Sequence, residues 1–232
     1  MKNIKRIINW IFSDKCISCG KEVSCESFLC EKCFKEIIFI DFPYCKCCGK
    51  LLHSSYNKEM LCDTCSNYER YFNSGRSLFL YNNISKKVVM RIKKEADEHV
   101  AKVCANLLYK RYGDLIADVD TIIPVPLHFS RLLRRGFNQS SIIAKHISKL
   151  STIPLSFTEL KRIKKTDYQK NKTIEQRKNN TKGAFIAHSS CKNKRILLVD
   201  DVITTGATIS ECSKTLKEEG AKSVVYLTIA TT

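Results

Sequence analysis

The chain has 232 residues, which is enough for one α/β domain and a small additional module. It carries 40 lysine and arginine residues against 23 acidic ones, a formal net charge of +17, and most of the excess lies after residue 80. This charge suits anionic partners such as phosphorylated metabolites, nucleic acid or an acidic membrane surface, and it also promotes solubility. No apolar run approaches the ~18 residues of a transmembrane helix. Neither G-x-G-x-x-G nor G-x-x-x-x-G-K-[ST] occurs, which excludes the two commonest nucleotide-binding loops.

The N-terminus predicts a basic amphipathic helix over residues 1–12, because Ile4, Ile7, Ile8 and Ile11 recur at helical spacing beside basic side chains. The segment is too short and too charged for a signal peptide, so we expect a cytoplasmic chain. We expect this helix to pack on the cysteine-rich segment that follows. Docking on a partner, or peripherally on the inner face of the membrane, is the alternative.

Ten of the 13 cysteines fall within residues 16–65, and eight of them form four C-x-x-C pairs in two similar units. Tetrahedral zinc takes four thiolates, and a reducing compartment favours metal ligation over disulfides. The spacing predicts two structural zinc ions bound by Cys16, Cys19, Cys30 and Cys33 in the first unit and by Cys45, Cys48, Cys62 and Cys65 in the second. Interleaved pairing, substitution by Cys47 in the second site, and redox chemistry of a C-x-x-C pair are the alternatives.

This pattern divides the chain into a module over residues 1–66, a linker over 67–82 and an α/β domain over 83–232. The domain is predicted to open with a long amphipathic helix over about 84–110. The apolar run Ile122–Leu127 then predicts a strand, whose end is fixed by its two prolines.

Two basic segments follow in the domain. The first, residues 128–139, contains three arginines just beyond a predicted strand end and is expected to bind an anion. The second, residues 161–182, contains nine basic residues against two acidic ones and lacks an apolar stripe, which predicts a mobile loop with at most one helical turn. Solvated surface charge is the alternative for both segments.

The most informative run is residues 196–208. Four aliphatic residues predict a buried strand, Asp200 and Asp201 stand where it is expected to end, and Thr204–Thr208 predicts a turn into a helix. Ligands of open α/β sheets bind beyond the carboxyl ends of the strands, and the N–H groups of a helix N-terminus favour phosphate. A structural helix cap is the alternative. The segments 183–187 and 223–230 are predicted to complete the sheet.

This run resembles, at every position, the phosphoribosyl diphosphate (PRPP) motif of type I phosphoribosyltransferases. The resemblance implies that Asp200 and Asp201 hold the ribose hydroxyls, directly or through Mg²⁺. It also implies that the 5′-phosphate is held by Thr204, Thr205, Gly206, Ala207 and Thr208.

Further segments resemble the ComF family, whose P-x-P-L-H and R-G-F-N-Q sequences match Pro124–His128 and Arg135–Gln139. The family's Thr, Gln, Arg and Asn pattern in the second basic segment is met by Thr166, Gln169, Arg177 and Asn180. The resemblance implies a type I phosphoribosyltransferase-like parallel sheet flanked by helices, preceded by a double zinc ribbon. It implies that the pyrophosphate and flexible loops use His128, Arg131, Arg135, Gln139, Lys165, Gln169 and Arg177.

Members of the ComF family are implicated in natural transformation, so the resemblance implies a PRPP-binding protein that handles single-stranded DNA, with other competence proteins as further partners. The residues expected to contact DNA are Arg134, Lys164, Lys165, Lys170 and Lys172. An active phosphoribosyltransferase, dependent on Mg²⁺ and transferring ribose 5-phosphate to a base or amine, is the alternative. A PRPP sensor without turnover is a third hypothesis. No acceptor site and no glutaminase half is recognisable in the sequence.

Overall fold

The computed structural model describes residues 15–24, 27–52, 60–165 and 179–232. The predicted helix over residues 1–12, Cys25 and residues 166–178 of the predicted loop lie outside the described residues. The expected site residues in that stretch are Gln169, Lys170, Lys172 and Arg177. Within the described ranges, no helix is both long enough and apolar enough to span a lipid bilayer.

The described residues include seven helices, six strands and one 3₁₀ turn whose bounds are as follows. The helices are α1 (Glu31–Glu36), α2 (Asp63–Asn67), α3 (Asn83–Glu95), α4 (Glu98–Ile116), α5 (Phe129–Arg135), α6 (Gln139–Ser151) and α7 (Ala207–Glu218). The strands are β1 (Ser74–Leu80), β2 (Thr121–Pro124), β3 (Leu160–Arg162), β4 (Phe185–Ala187), β5 (Arg195–Ile203) and β6 (Ser223–Thr231), and the 3₁₀ turn covers Ser189–Cys191.

Four strands form the main sheet in the order β1-β6-β5-β2, and all neighbours are parallel. Successive side chains of β5 point to opposite faces, as the pleat of a strand requires. Leu197 and Val199 join the core beneath α3, α4 and α6. Ile196 and Leu198 join a second core beneath α7 and the β3–β4 pair. The predicted α/β class, a parallel sheet flanked by helices, is confirmed.

The linker predicted over residues 67–82 is wrong over Ser74–Leu80, which is strand β1. This strand pairs in register with the last strand, from Ser74 opposite Val225 to Leu80 opposite Thr231. Its sequence, SGRSLFL, begins with small and polar residues, so only its second half carries an apolar signal.

The single helix predicted over 84–110 is two helices, α3 and α4. Ala96 ends α3 in the left-handed conformation, with φ 51°. The Asp97 side chain then caps α4 by accepting the Val100 N–H. The apolar stripe continues across this break, which is why periodicity alone joined the two helices.

Four expectations about the strands need correction. β4 was expected in the main sheet, but it pairs antiparallel with β3 in a separate two-stranded sheet. β3 contains Lys161 and Arg162, which were assigned to the mobile loop. β2 ends at Pro124 rather than Leu127, whereas β5 continues past the predicted end to Ile203.

The cysteine-rich module covers the edge of the main sheet. The Ile40 N–H donates to the Leu78 carbonyl at 3.0 Å, and the Leu80 N–H donates to the Ile38 carbonyl at 2.9 Å. Further along β1, the Gly75 N–H donates to the Cys47 carbonyl at 2.8 Å. Unpaired main-chain groups of an edge strand invite pairing with another chain, so the module protects this edge.

The two cysteine units lie on opposite sides of β1. In the first unit, Cys16 and its neighbours pack against the core of α3 and α4, and the Cys16 carbonyl accepts a hydrogen bond from Arg91 at 2.7 Å. In the second unit, the Cys48 carbonyl accepts from the Tyr226 hydroxyl at 2.8 Å. Gly75 permits this approach, because a Cβ there would lie 2.0 Å from the Tyr226 ring.

Candidate functional site

The acidic pair lies near the carboxyl end of β5, where the first turn of α6 contacts both side chains. Asp200 Oδ1 accepts from the Ser140 hydroxyl at 2.8 Å and from the Asp201 N–H at 2.9 Å. Asp201 Oδ1 accepts from Gln139 Nε2 at 3.4 Å. Asp201 is only 4% exposed. Burying a carboxylate is costly unless it is paired, so the environment of Asp201 should contain a cation.

Lys93, in the last turn of α3, is that cation. Its Nζ lies 2.6 Å from Asp201 Oδ2, and its side chain is 31% exposed. On the other side of Asp201, Gln139 accepts a hydrogen bond from Arg135 through its Oε1. A connected polar network therefore links α3, β5, α6 and the end of α5.

The two acids have opposite pKa shifts. Burial, and then the neighbouring charge of Asp201, raise the pKa of Asp200 to about 7. Burial also favours neutral Asp201, but the charge and hydrogen bond of Lys93 outweigh it and hold the pKa of Asp201 below its usual value. At neutral pH the pair thus contains one firmly ionised carboxylate and one that gains or loses a proton readily. Such a pair can accept hydrogen bonds from neighbouring hydroxyls of a sugar.

Residues Thr204–Thr208 comprise the turn after β5 and the first two residues of α7. Gly206 has φ 75°, a left-handed conformation that glycine adopts without steric cost. Next to it, Arg70 Nη1 donates to the Thr205 carbonyl at 3.0 Å. The first N–H groups of a helix lack intrahelical acceptors, and α7 has no acidic residue in its first turn. The turn therefore has the composition and geometry of an anion site, and phosphate binding there stays a prediction.

The first basic segment contains α5 and the start of α6. His128 caps α5, with Nδ1 accepting the Ser130 N–H at 3.2 Å. Arg135 reaches Gln139, so it belongs to the network of the acidic pair, whereas Arg134 is exposed. Burial and the nearby charges of Arg131 and Arg134 lower the pKa of Arg135 despite the attraction of Asp201. Positive charge therefore concentrates beside the acidic pair.

The described part of the second basic segment contributes four exposed lysines, Lys161, Lys164, Lys165 and Lys182. Lys164 donates to the Lys182 carbonyl at 3.4 Å across the base of the loop, and Lys165 is the last described residue before the gap. The predicted roles of Lys164 and Lys165 in DNA or diphosphate contact stay predictions.

Sequence reasoning missed four residues around this site: Lys93, Ser140, Arg70 and Arg162. Lys93 lies within the helix predicted over about 84–110, and nothing local distinguishes it from Lys94. Arg162 is half-buried over the Phe185 ring, and burial and then the Arg131 charge lower its pKa. Arg70 was assigned to the linker, and only the long-range pairing of β1 brings it to the Thr204–Thr208 turn. Ser140 follows Gln139 directly, and a polar residue at the start of a helix beyond a strand end is a usable signal.

The eight paired cysteines form two groups, within each of which all four sulfur atoms lie within 4.8 Å of one another. The groups follow sequence order, so the interleaved alternative is wrong. Zinc–sulfur bonds of ~2.3 Å in a tetrahedron require sulfur atoms about 3.8 Å apart. The Cys19–Cys30 and Cys48–Cys62 sulfur distances are 3.7 Å and 3.6 Å. Both groups therefore fit a structural zinc ion.

Amide N–H groups also point at the second cluster, since those of Cys48 and Cys62 donate to Cys45 Sγ at 3.5 Å and 3.4 Å. A cleft of about 390 Å³ separates this cluster from the Thr204–Thr208 turn, and Lys50 and Arg70 both line it. The second metal site is thus a neighbour of the candidate phosphate site.

Known protein families match both parts of the chain, the cysteine-rich module and the α/β domain. A family model described as a double zinc ribbon domain matches residues 7–66, and one described as a phosphoribosyl transferase domain matches residues 95–231. The chain is 32% identical to competence protein F of Haemophilus influenzae over 92% of this chain and 95% of that protein. It is 26% identical to competence protein ComFC of Bacillus subtilis over 87% and 83% of the two chains. It is 34% identical to the DNA utilization protein YhgH of Escherichia coli K12 over 45% and 46%.

Proposed function

The chain belongs to the ComF family of competence proteins, and from this premise we propose that it binds PRPP at the end of β5 and single-stranded DNA on the adjacent basic surface. In this role it handles DNA that enters the cell during natural transformation, in the cytoplasm and together with other competence proteins. The zinc ribbons have a structural role, since they cover the β1 edge of the main sheet.

One observation carries the PRPP proposal: the acidic pair and the phosphate turn lie on the same strand end, three residues apart, with cationic side chains from α3 and α5 around them. The turn binds the 5′-phosphate through N–H groups at the start of α7. Asp200 accepts hydrogen bonds from the ribose hydroxyls. The Ser140 hydroxyl and the Asp201 N–H, which both donate to Asp200 Oδ1, hold the orientation of its carboxylate.

Carboxylate oxygens are ligands that Mg²⁺ prefers, and the oxygens of Asp200 fit this requirement better than those of Asp201, since Lys93 already neutralises Asp201. When bound with PRPP, Mg²⁺ neutralises part of the diphosphate charge. Arg135 and Arg131 supply further positive charge on the same side of the site.

Isothermal titration with PRPP, with and without Mg²⁺, tests this site. Asp200→Asn keeps the Lys93–Asp201 pair and should weaken PRPP binding by about ten-fold or more, the loss of hydrogen bonds to a charged group. Asp114→Asn is the matched control. Asp114 is exposed near the end of α4, which leads into the amino end of β2, whereas the site lies at the carboxyl ends of the strands. Equal PRPP affinity in the two variants would show that the acidic pair only caps the strand.

The DNA proposal rests on exposed cationic side chains around the site, namely Arg134, Lys164 and Lys165. Phosphate contacts release counterions, so affinity for an oligothymidylate should fall steeply with salt. Arg134→Gln should lower both affinity and the salt slope, whereas Lys110→Gln, an exposed lysine of α4, should change neither. No binding of the wild-type protein at low salt would refute this half of the proposal.

Turnover is a second candidate function, favoured by the concentration of arginine beside the acidic pair. In that reaction a base or amine attacks the anomeric carbon, and the bond to diphosphate breaks with its electron pair leaving on the diphosphate. Positive charge at Arg131 and Arg135 stabilises the leaving group. Release of diphosphate from PRPP in the presence of a panel of bases and amines, above the rate without protein, distinguishes an enzyme from a binding protein.

A further inference from the structure

Arg70 joins the second cysteine unit to the Thr204–Thr208 turn, although it belongs to neither. It lies in the segment between α2 and β1, and it is half-buried. Its Nη1 donates to the Thr205 carbonyl at 3.0 Å. A Cβ added at Gly206 would lie only 3.1 Å from the same nitrogen. The guanidinium is therefore packed directly against the main chain of the turn.

This hydrogen bond fixes the orientation of the peptide bond between Thr205 and Gly206. A trans peptide is planar, so its C=O and N–H groups point in opposite directions. Because the Thr205 carbonyl faces Arg70, the Gly206 N–H points away from Arg70, and it donates to no acceptor among the described residues. An N–H group held in this way at the start of a helix is a donor for an anion. Arg70 thus orients one of the donors that a phosphate at this turn would use.

A chain of contacts leads from Arg70 to the second cysteine cluster. The guanidinium carbon lies 6.0 Å from the centre of the Phe72 ring, and the rings of Phe72 and Tyr226 meet edge to face with their centroids 5.0 Å apart. The Tyr226 hydroxyl donates to the Cys48 carbonyl at 2.8 Å. Phe72 is 4% exposed and Tyr226 is fully buried, so close packing leaves these rings little freedom to move. The second unit is too small to keep its shape without the metal that its four thiolates fit. The position of Arg70 therefore depends on that metal.

We propose that Arg70 is a positioning residue for the phosphate turn, and that the second cysteine unit holds Arg70 in place through Tyr226 and Phe72. The inference rests on the proposed PRPP site and goes beyond it, because it gives the second metal site a role in ligand binding. Arg70 needs no contact with PRPP, since it acts through the peptide bond between Thr205 and Gly206. Coupling between two sites is reciprocal. PRPP bound at the turn must therefore stabilise the second metal site, just as the metal favours PRPP.

Isothermal titration with PRPP and Mg²⁺ tests the positioning role, with Arg76→Met as the matched control for Arg70→Met. Arg76 is also half-buried, lies 4.5 Å from the centre of an aromatic ring, that of Tyr44, and donates to a main-chain carbonyl, that of Lys46, at 3.1 Å. Arg70→Met should weaken PRPP binding about ten-fold, the loss of one hydrogen bond that orients the turn. Arg70→Lys keeps a donor and the positive charge and should recover most of the affinity, whereas Arg76→Met should bind PRPP like wild type. Near-ultraviolet circular dichroism and zinc content verify the fold of each variant.

Zinc release to a chromogenic chelator tests the link to the metal, and it needs only the wild-type protein. Saturating PRPP should slow the release of one of the two zinc ions several-fold and leave the other unchanged. Cys48→Ser lacks the second zinc and so identifies the release phase of the first. Tyr226→Phe keeps the ring but loses the hydrogen bond to the Cys48 carbonyl. It should retain both zinc ions and lose most of the protection by PRPP.

Two kinds of result would overturn this inference and leave the proposed PRPP site intact. The first is a wild-type PRPP affinity in Arg70→Met, an equal loss in Arg76→Met, or no recovery in Arg70→Lys. The second is a PRPP effect of the same size on both zinc ions, or protection that persists in Tyr226→Phe. A wild-type protein that binds no PRPP would instead refute the proposed function itself.

Discussion

Replacing Lys93 with methionine should strongly destabilise the protein, because Asp201 would keep its buried charge without a counter-ion. At 2.6 Å and an effective dielectric constant of ~20, the attraction between Lys93 and Asp201 is about 6 kcal/mol. The desolvation of both ions offsets part of that value. Removal of one partner of a buried pair therefore costs about 3–5 kcal/mol in the free energy of unfolding.

The pH dependence of this loss has a definite sign. The folded-state pKa of Asp201 lies below its usual value because of Lys93, so the pair stabilises the protein above the unfolded-state pKa of aspartate. That stabilisation disappears as the pH falls through the lowered pKa. Without Lys93, burial raises the pKa of Asp201, and the carboxyl group can protonate in mild acid. The free energy of unfolding that Lys93→Met loses relative to wild type should thus be largest near pH 7.5 and smaller near pH 5.

Urea unfolding, followed by near-ultraviolet circular dichroism at the two pH values, measures both effects. Lys94→Met is the matched control, since Lys94 is the next residue of α3 and is exposed. The double variant with Asp201→Asn should recover part of the loss, with a coupling energy of about 2–3 kcal/mol. A Lys93→Met deficit no larger than that of Lys94→Met, or one that is the same at both pH values, would refute the argument that this lysine neutralises a buried carboxylate.

Three further predictions concern the metal, the proton balance and the phosphate turn. Metal analysis should find two zinc ions per chain, and Cys48→Ser should reduce this to one, because a missing thiolate opens its site; a wild-type content below one zinc would contradict the assignment. The pKa of Asp200 is raised by burial to about 7, and ribose hydroxyls favour its ionised form, so PRPP affinity should increase between pH 6 and pH 8 with proton release on binding; calorimetry in buffers of different ionisation enthalpy measures the released proton, and a flat profile would exclude Asp200 as the acceptor. Gly206→Ala should weaken PRPP binding, because φ is 75° and the added Cβ would lie 3.1 Å from Arg70 Nη1; Gly20→Ala in the cysteine-rich module, also at positive φ but with open space around it, is the control and should retain full PRPP affinity.

The sequence predicted those features that depend on local pattern. The eight paired cysteines, the buried strand β5 and the glycine-containing turn before α7 each have a signature within a few residues, and the structure contains all three elements. The order of the cysteine groups was left open by spacing alone, because knuckles of equal sequence can pair in either order.

Features that depend on pairing across the chain were missed. Strand β1 has little alternation of its own and is defined by its contacts with β6, about 150 residues away. Lys93 differs from Lys94 only because the break at Ala96 and the packing of α3 bring it to Asp201. β4 has the composition of a sheet strand, but its partner is β3 and not β2, and periodicity does not identify a partner.

The position of β6 between β1 and β5 determines when the main sheet can form during synthesis. β6 is the last strand in chain order and the only described neighbour of β1 within that sheet. Until β6 is in place, β1 and β5 share no strand pairing, so the main sheet consists at most of two strand groups, β1 with the cysteine-rich module and β5 with β2. Parallel pairings between distant segments form slowly. The strand edges of β1 and β5 that face each other therefore stay unpaired until β6 inserts between them. Zinc binding to the module, which needs only residues made early, would protect one side of the gap between these edges while translation finishes.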